Sequence, residues 1–257
     1  MRVIVTIEIH KFLMIYLVLL IILWVMKKFK INQEKLLFLG SARMSVQLII
    51  AGYILTYIIE NPTPFFTLSY FLIMMAFAIY RVVGKNQQLN KNFKIIVGVS
   101  MFLSGFFIIS FFICIIIGKN IFDPQYTIPI SGMLLGNAMN GTSLAVKSFY
   151  NALKGRKLQI ETLTNLGVEP QKILFPFIRE AMETALIPTL NSMMGMGIVS
   201  LPGMMTGQIL SGTLPSVAII YQISITLSIT AVVCLSSLGS LYFGGKTLWD
   251  ENKNIKV

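Results

Sequence analysis

One stretch constrains the fold more than any other: the 62 residues from 184 to 245 contain no Asp, Glu, Lys, Arg or His. Hydrophobic residues make up 55% of the whole chain and charged residues 12%, about half the roughly 25% of a soluble domain. A soluble globule of 257 residues could not bury so much apolar surface and would aggregate. The sequence therefore predicts an all-α, polytopic integral membrane protein.

The charge-poor runs predict seven membrane crossings, because about 20 apolar residues span the hydrocarbon core. The predicted spans are residues 6–26, 38–59, 65–83, 95–118, 127–150, 184–203 and 216–243. A short re-entrant segment at 203–212 stays an alternative, since irregular backbone is tolerated where it lines a cavity. All of residues 1–257 are predicted to form a single transmembrane domain.

The basic residues predict the orientation of these spans. Seventeen of the 21 Lys and Arg residues follow the first, third, fifth and seventh spans, and basic loops belong in the cytoplasm. The N-terminus is therefore expected outside and the C-terminus in the cytoplasm. The net charge of +11 is interpreted as loops held at an anionic leaflet of the lipid bilayer, with no nucleic acid as a partner.

One stretch, about 151–183, has the composition of a cytoplasmic segment. It mixes charges with apolar residues at helical spacing, and Gly167 and Pro170 are expected to divide it into two short helices. About 30 residues are too few for a catalytic domain. The stretch suits a docking element for a partner protein.

The chain lacks a nucleotide site of its own. Gly245-Lys246-Thr247 ends like a phosphate-binding loop, but the glycine required five positions earlier is replaced by Ser240, and the segment follows a membrane helix. The single histidine, His10, lies at a membrane edge, and the sequence has no HExxH or GxSxG motif. We expect no catalytic residues, no enzymatic activity and no cofactor bound by this chain.

Two polar residues stand out in the second span. Arg43 and Gln47 are one helical turn apart and share a face. A charged residue inside the bilayer is a candidate for a substrate path. The alternative is that Arg43 reaches the cytoplasmic edge of the membrane with its long side chain, and the sequence leaves both readings open.

The fifth span carries a stripe of small residues and amides. Gly132, Gly136 and Asn140 are spaced by four, and Asn137 and Gly141 lie beside them. Small residues allow close helix approach, and amides form hydrogen bonds between membrane helices. Helix packing and a substrate path are both consistent with this stripe.

Residues 191–208 hold five methionines, four glycines and a proline. Thioether sulfur is a ligand for soft or borderline metals, but methionine also fills irregular apolar packing, so both roles stay open. Gly203 and Gly207, spaced by four, are expected to allow close backbone approach. The candidate path residues of this region are Asn191, Met193, Met194, Met196, Met204, Met205 and Gln208.

Residues 196–212, Met-Gly-Ile-Val-Ser-Leu-Pro-Gly-Met-Met-Thr-Gly-Gln-Ile-Leu-Ser-Gly, resemble the signature of the FetB-type permeases. That family was once catalogued as an uncharacterised membrane group, and it includes plant aluminium-tolerance proteins. Further similar segments are Arg43-Met-Ser-Val-Gln-Leu48, Gly136-Asn-Ala-Met-Asn140 and Leu166-Gly-Val-Glu-Pro170. The resemblance extends from about the second span to the end of the chain.

The resemblance implies the permease subunit of an ABC transporter linked to iron export, in the bacterial cytoplasmic (inner) membrane. It implies a homodimer bound to a cytoplasmic ATPase subunit, which would hold the ATP. The metal itself stays unidentified. The residues similar to the coupling loop of ABC permeases are Leu166, Gly167, Val168, Glu169 and Arg179.

Two other functional classes compete with this reading. A stand-alone secondary transporter or channel would usually need a carboxylate within the membrane, and residues 184–245 contain none. A structural or assembly scaffold would leave the Met/Gly region tolerant of substitution.

Overall fold

In a computed structural model, residues 8–86 and 89–249 are described, and across these ranges the chain is helical without a β-strand. The described residues form two compact units. The first comprises residues 8–62 with 210–212, and the second comprises the rest. The helices are α1 (Ile9–Lys28), α2 (Glu34–Glu60), α3 (Pro64–Lys85), α4 (Lys91–Phe111) with a π-helical continuation (Phe112–Ile117), α5 (Pro124–Gly155), α6 (Lys157–Asn165), α7 (Pro170–Gly195), α8 (Gly203–Leu210) and α9 (Pro215–Gly245).

The first unit is built on α1 and α2, whose apolar side chains are mostly exposed. A short turn with Lys30 in the left-handed region (φ 54°) joins the two helices. The Tyr16 hydroxyl and Ser45 Oγ are 2.5 Å apart, which links the helices by a hydrogen bond. An exposed apolar surface of this kind suits a lipid environment.

The second unit contains five long helices, α3, α4, α5, α7 and α9, which alternate in direction. At one end Asn90 Nδ2 donates to the Thr247 carbonyl (2.9 Å), so the start of α4 meets the residues after α9. At the other end Thr67 Oγ1 donates to the Phe122 carbonyl (3.0 Å), so the start of α3 meets the segment before α5. A buried apolar cluster fills each half of the bundle.

Basic residues of the second unit concentrate at the end where α4 begins and α9 ends, called the basic end below. Lys119 lies at the opposite end. The basic end is the cytoplasmic side expected from the sequence. Its described basic residues are Arg81, Lys85, Lys91, Lys94, Lys147, Lys154, Arg156, Lys157, Lys172, Arg179 and Lys246.

The structure agrees with an all-α membrane protein. In the described chain, α1, α2, α3, α9 and α4 with its continuation are long and apolar enough to cross a bilayer. Helices α5 and α7 have 32 and 26 residues, enough in length, but they are more polar. The total of seven crossings and the sides of the termini stay predictions, and residues 1–7 and 250–257 lie outside the described residues.

Near α7 the helix boundaries differ partly from the sequence prediction. The expected break at Gly167 and Pro170 is present, because α6 ends at Asn165 and α7 begins at Pro170. The second predicted cytoplasmic helix, however, is continuous with the sixth span in α7, which ends at Gly195 and not near 203. Its internal prolines do not stop the helix, because backbone groups freed by a proline can be satisfied by neighbours in a packed membrane bundle.

Among the glycines of the small-residue stripe on α5, Gly141 makes the closest approach to a neighbouring helix. A Cβ on Gly141 would lie 2.5 Å from Val233 Cγ1, whereas a Cβ on Gly132 would lie 3.2 Å from Met74 Cε. At three other predicted glycines, no atom of a neighbouring element in the described chain lies within 4 Å of a Cβ position; these are Gly136, Gly203 and Gly207. For those three glycines, close approach to another helix stays a prediction.

We therefore expect Gly141→Ala to destabilise the protein by about 1–3 kcal/mol, the usual effect of overpacking a close contact. Val233 is buried and β-branched, so it cannot easily move away from the new methyl group. Gly136→Ala, on the same helix with open space at its Cβ, is the matched control. Thermal unfolding in detergent measures both, and equal midpoints for the two variants would contradict the expectation.

Candidate functional site

A cavity of about 350 Å³ lies in the second unit between α5, α7, α9 and the start of α8. It is called the central cavity here. Apolar residues and the thioethers of Met133, Met196 and Met204 form part of its wall. Its polar lining residues are Asn137, Asn140, Thr189, Ser192, Gln222 and Thr226. The cavity lining contains no charged side chain.

The α5 wall presents two carboxamides near the middle of a 32-residue helix. Asn137 and Asn140 are both exposed. Asn137 Nδ2 donates to the Met133 carbonyl one turn earlier (2.8 Å). This bond ties the N–H2 end of the Asn137 amide to its own helix and leaves Oδ1 as an acceptor.

The α9 wall presents Gln222, which is only 9% exposed. Thr226 Oγ1 donates its one hydrogen to the Gln222 backbone carbonyl (2.8 Å), so toward the Gln222 side chain it acts as an acceptor. Gln222 Nε2 therefore faces Thr226 Oγ1 at 3.0 Å. Gln222 Oε1 is buried and has no hydrogen-bond partner in the described chain, a situation that typically costs about 1–3 kcal/mol.

Two methionine sulfurs of the 193–196 segment contact threonines of α9. Met196 Sδ lies 3.5 Å from Thr226 Oγ1, and Met193 Sδ lies 3.4 Å from Thr230 Oγ1. Each threonine also has a closer backbone carbonyl acceptor one turn earlier, at 2.8 and 2.9 Å. Because the hydroxyl hydrogens are used by those carbonyls, the thioethers keep their lone pairs.

Two further cavities share lining residues with the central cavity. One, of about 480 Å³, lies toward the opposite end, and shares Met196 and Gln222 with it. The other, of about 530 Å³, lies at the basic end, is lined by Lys85 and Lys147, and shares Asn140 with it. The three cavities therefore form a series along the bundle, with the uncharged central cavity in the middle.

The structure brings six of the predicted path residues to this series. Asn137, Asn140, Met196 and Met204 line the central cavity, and Met193, Met196 and Met205 line the cavity toward the opposite end. The remaining predicted residues line none of the three cavities: Asn191 and Met194 are exposed on α7, Gln208 is half-buried on α8, and Arg43 and Gln47 lie on α2 in the first unit. Whether any of these residues touches cargo stays a prediction.

Sequence reasoning missed Gln222 and Thr226. A signal for Gln222 was present, because it is the sole carboxamide residue in the 31 residues of α9. Thr226 follows it by one turn, on the same helix face. Our sequence interpretation concentrated on the Met/Gly region and overlooked this isolated amide.

The loop between α6 and α7 has a defined shape. Gly167 has a φ of +77°, Gly167 N–H donates to the Thr164 carbonyl (2.9 Å), and Val168 N–H donates to the Leu163 carbonyl (3.1 Å). These bonds form a Schellman cap, in which glycine is favoured at the left-handed position. Leu163 and Val168 both pack against the core cluster of the basic end.

Around this loop the polar residues pair on the surface while two leucines stay exposed. Glu169 pairs with Lys172 (3.2 Å), and Arg179 pairs with Glu183 (3.0 Å). Leu158 and Leu166 are 78% and 73% exposed on the short α6 and its cap. These exposed leucines make α6 and its cap the candidate docking surface expected from the sequence.

The described residues contain no group of three or more His, Cys, Asp or Glu side chains that could hold a metal ion. The groups that could contact a metal in the central cavity are amide and hydroxyl oxygens and thioethers. Such a neutral set binds a cation more weakly than carboxylates or thiolates do. Weak binding is suited to a cargo that must leave again.

Comparison with known proteins identifies relatives over most of the chain. The profile of the family described as "Uncharacterised protein family (UPF0014)" matches residues 9–249. The UPF0014 membrane protein YjkA of Bacillus subtilis is 33% identical, over 84% of this chain and 86% of its own. The "Probable iron export permease protein FetB" of Escherichia coli is 31% identical, over 90% and 88%.

A plant protein is similar too. The protein ALUMINUM SENSITIVE 3 of Arabidopsis thaliana is 31% identical, over 78% of this chain and 72% of its own. These matches confirm the resemblance seen in the sequence. No solved structure gives a significant match.

Proposed function

The chain belongs to the UPF0014 family of membrane proteins, and on that premise we propose that it is the permease subunit of an ABC transporter that exports iron or another metal, as an ion or a complex. ATP would be hydrolysed by a separate subunit. The observation that supports this proposal best is the series of cavities, whose polar centre is bordered by α5, α7 and α9. A relative from Escherichia coli is named as a probable iron export permease.

The partner ATPase is expected at the basic end. Leu158 and Leu166 offer an apolar contact on a segment outside the predicted spans, and the Schellman cap holds Leu166 in a fixed position. A short helix that inserts apolar side chains into a groove is a common way of docking to a partner. The basic residues at this end favour the cytoplasmic side, where ATP is available.

A second copy of the permease is expected against α5. Asn137 and Asn140 are exposed near the middle of that helix, at the depth of the bilayer centre if α5 crosses the membrane. An amide oxygen facing lipid there would have no donor from the solvent, which is costly. A homodimer that faces its two α5 helices toward a shared aqueous path would remove this problem.

The proposed location is the bacterial cytoplasmic membrane. For the decisive test, the permease is reconstituted with its ATPase in lipid vesicles. Vesicles containing both subunits should move Fe²⁺ or Mn²⁺ across the bilayer only when ATP is present on the basic side. The matched control is the same preparation with an ATPase whose catalytic glutamate is replaced. Metal movement driven by a proton gradient without ATP would instead favour a stand-alone secondary transporter.

A further inference from the structure

Two of the carboxamides that line the central cavity have their orientation set by hydrogen bonds from their N–H2 groups. Asn137 donates through Nδ2 to the Met133 carbonyl, and Gln222 donates through Nε2 to Thr226 Oγ1. Each N–H2 group therefore has one of its two hydrogens bonded within the protein, which sets the orientation of the amide. The amide oxygens are left as acceptors. Gln222 Oε1 is buried without a partner in the described chain, and the residue Gln222 lines both the central cavity and the next one.

A proline of α7 frees a backbone carbonyl one turn before the same wall. Pro188 lies inside α7 and lines the central cavity. It has no amide hydrogen, so it cannot form the usual helical bond to the Thr184 carbonyl. The Thr184 carbonyl is therefore a further candidate acceptor next to the cavity wall.

We propose that the central cavity binds its cargo as a hydrated cation, with Gln222 Oε1 as the residue that selects a cation over an anion. Water molecules of the hydration shell donate hydrogen bonds, and the cavity offers the acceptors that receive them. The inference rests on the proposed function, since it takes the central cavity as the cargo site.

The size of the cavity agrees with a cation that keeps its water shell. Six water molecules occupy about 180 Å³ at roughly 30 Å³ each, and the cavity has about 350 Å³. A bare divalent ion would need carboxylates or a comparable ligand set close around it. No carboxylate lines this cavity.

Two features would favour an anion, and neither changes the conclusion. Lys85 and Lys147 line the basic-end cavity, but both are exposed, so salt screens their charges. The first residues of α8 also line the central cavity, yet this helix has only eight residues and a correspondingly weak N-terminal charge. An anion offers no hydrogen-bond donor, so it would leave Gln222 Oε1 without a partner.

The test measures binding of Mn²⁺, a probe visible by electron paramagnetic resonance, to the purified full-length permease. Gln222→Leu should weaken Mn²⁺ binding by roughly 10- to 100-fold, the loss expected for one bond to a charged species. Leucine also removes the buried oxygen that lacks a partner, so the variant should fold at least as well. Gln222→Glu should bind Mn²⁺ more tightly than the original protein.

Gln125→Leu is the matched control, because Gln125 is an exposed amide at the start of α5 that lines none of the three cavities. It should leave Mn²⁺ binding within about twofold, since it lies away from the central cavity. Radiolabelled citrate serves as the anionic probe. Unchanged Mn²⁺ binding in Gln222→Leu, or citrate binding that Gln222→Glu abolishes, would overturn the inference.

The same preparations are tested for capture of the ATPase, which separates the two proposals. If the ATPase is captured and Mn²⁺ binding does not depend on Gln222, the inference about the cavity fails and the proposed function stands. If Mn²⁺ binding depends on Gln222 and no ATPase is captured, the ABC assignment fails while the cation site is supported.

Discussion

An aspartate in place of Leu166 is expected to abolish capture of the ATPase while the permease stays folded and inserted. Leu166 is 73% exposed, and its backbone is set by the cap that follows α6, so the change removes no internal packing. A central apolar side chain of an interface typically contributes at least ~2 kcal/mol, which corresponds to roughly thirtyfold weaker binding. Burying the new carboxylate in an apolar groove weakens binding further.

The measurement is co-purification of the ATPase with the permease, together with ATP hydrolysis in reconstituted vesicles. Leu214→Asp is the matched control, because Leu214 is 68% exposed and precedes α9 at the opposite end of the bundle. As the residue before a helix, position 214 also accepts aspartate well. Equal ATPase capture by both variants would show that α6 and its cap are not the docking element.

Gly167, although part of the segment similar to a coupling loop, is a less informative position for this test than Leu166. Its φ of +77° is a conformation in which a side chain typically costs about 1–2 kcal/mol. A bulky substitution would distort the loop, so a loss of coupling would not distinguish contact from shape. Glu169→Lys remains useful, since Glu169 is on the surface and its ion pair with Lys172 contributes little to stability.

Much of the helical architecture could be predicted because hydrophobicity and charge are local properties of the sequence. The five apolar helices coincide with predicted spans, and Gly167 and Pro170 mark a true break. The end of α7 was predicted near 203, but the helix ends at Gly195, shortly before Gly197 adopts a left-handed conformation (φ +83°). A glycine permits such a conformation without requiring it, so this end could not be placed from the sequence.

The candidate site was predictable only in part, for a related reason. Methionines and amides of residues 191–208 form a visible group in the sequence, but only some of them face the cavities. Helix rotation decides which side chains point inward, and a run with glycine and proline has no fixed periodicity from which to read that rotation. Gln222 lies outside that group, and the fold brings it into contact with Thr226 and close to Met196.

The largest effect on transport is expected from Asn140→Leu. Asn140 lines both the basic-end cavity and the central cavity, so cargo moving between them passes this side chain. Leucine has a similar volume but offers no oxygen, and a hydrated ion at an apolar junction loses hydrogen bonds that nothing replaces. We expect ATP-driven metal export to fall at least ~tenfold, which corresponds to about 1.4 kcal/mol in the barrier.

Asn191→Leu gives this prediction its control. The sequence placed both asparagines on the substrate path, but Asn191 lies exposed on α7 and lines none of the three cavities. Its replacement should leave the export rate within about twofold, because sites away from the path act independently of it. ATPase capture and the midpoint of thermal unfolding should be unchanged in both variants, so a loss of export would be specific to the path. Equal export by the two variants would show that cargo does not pass Asn140, and the path would then have to follow another face of α5.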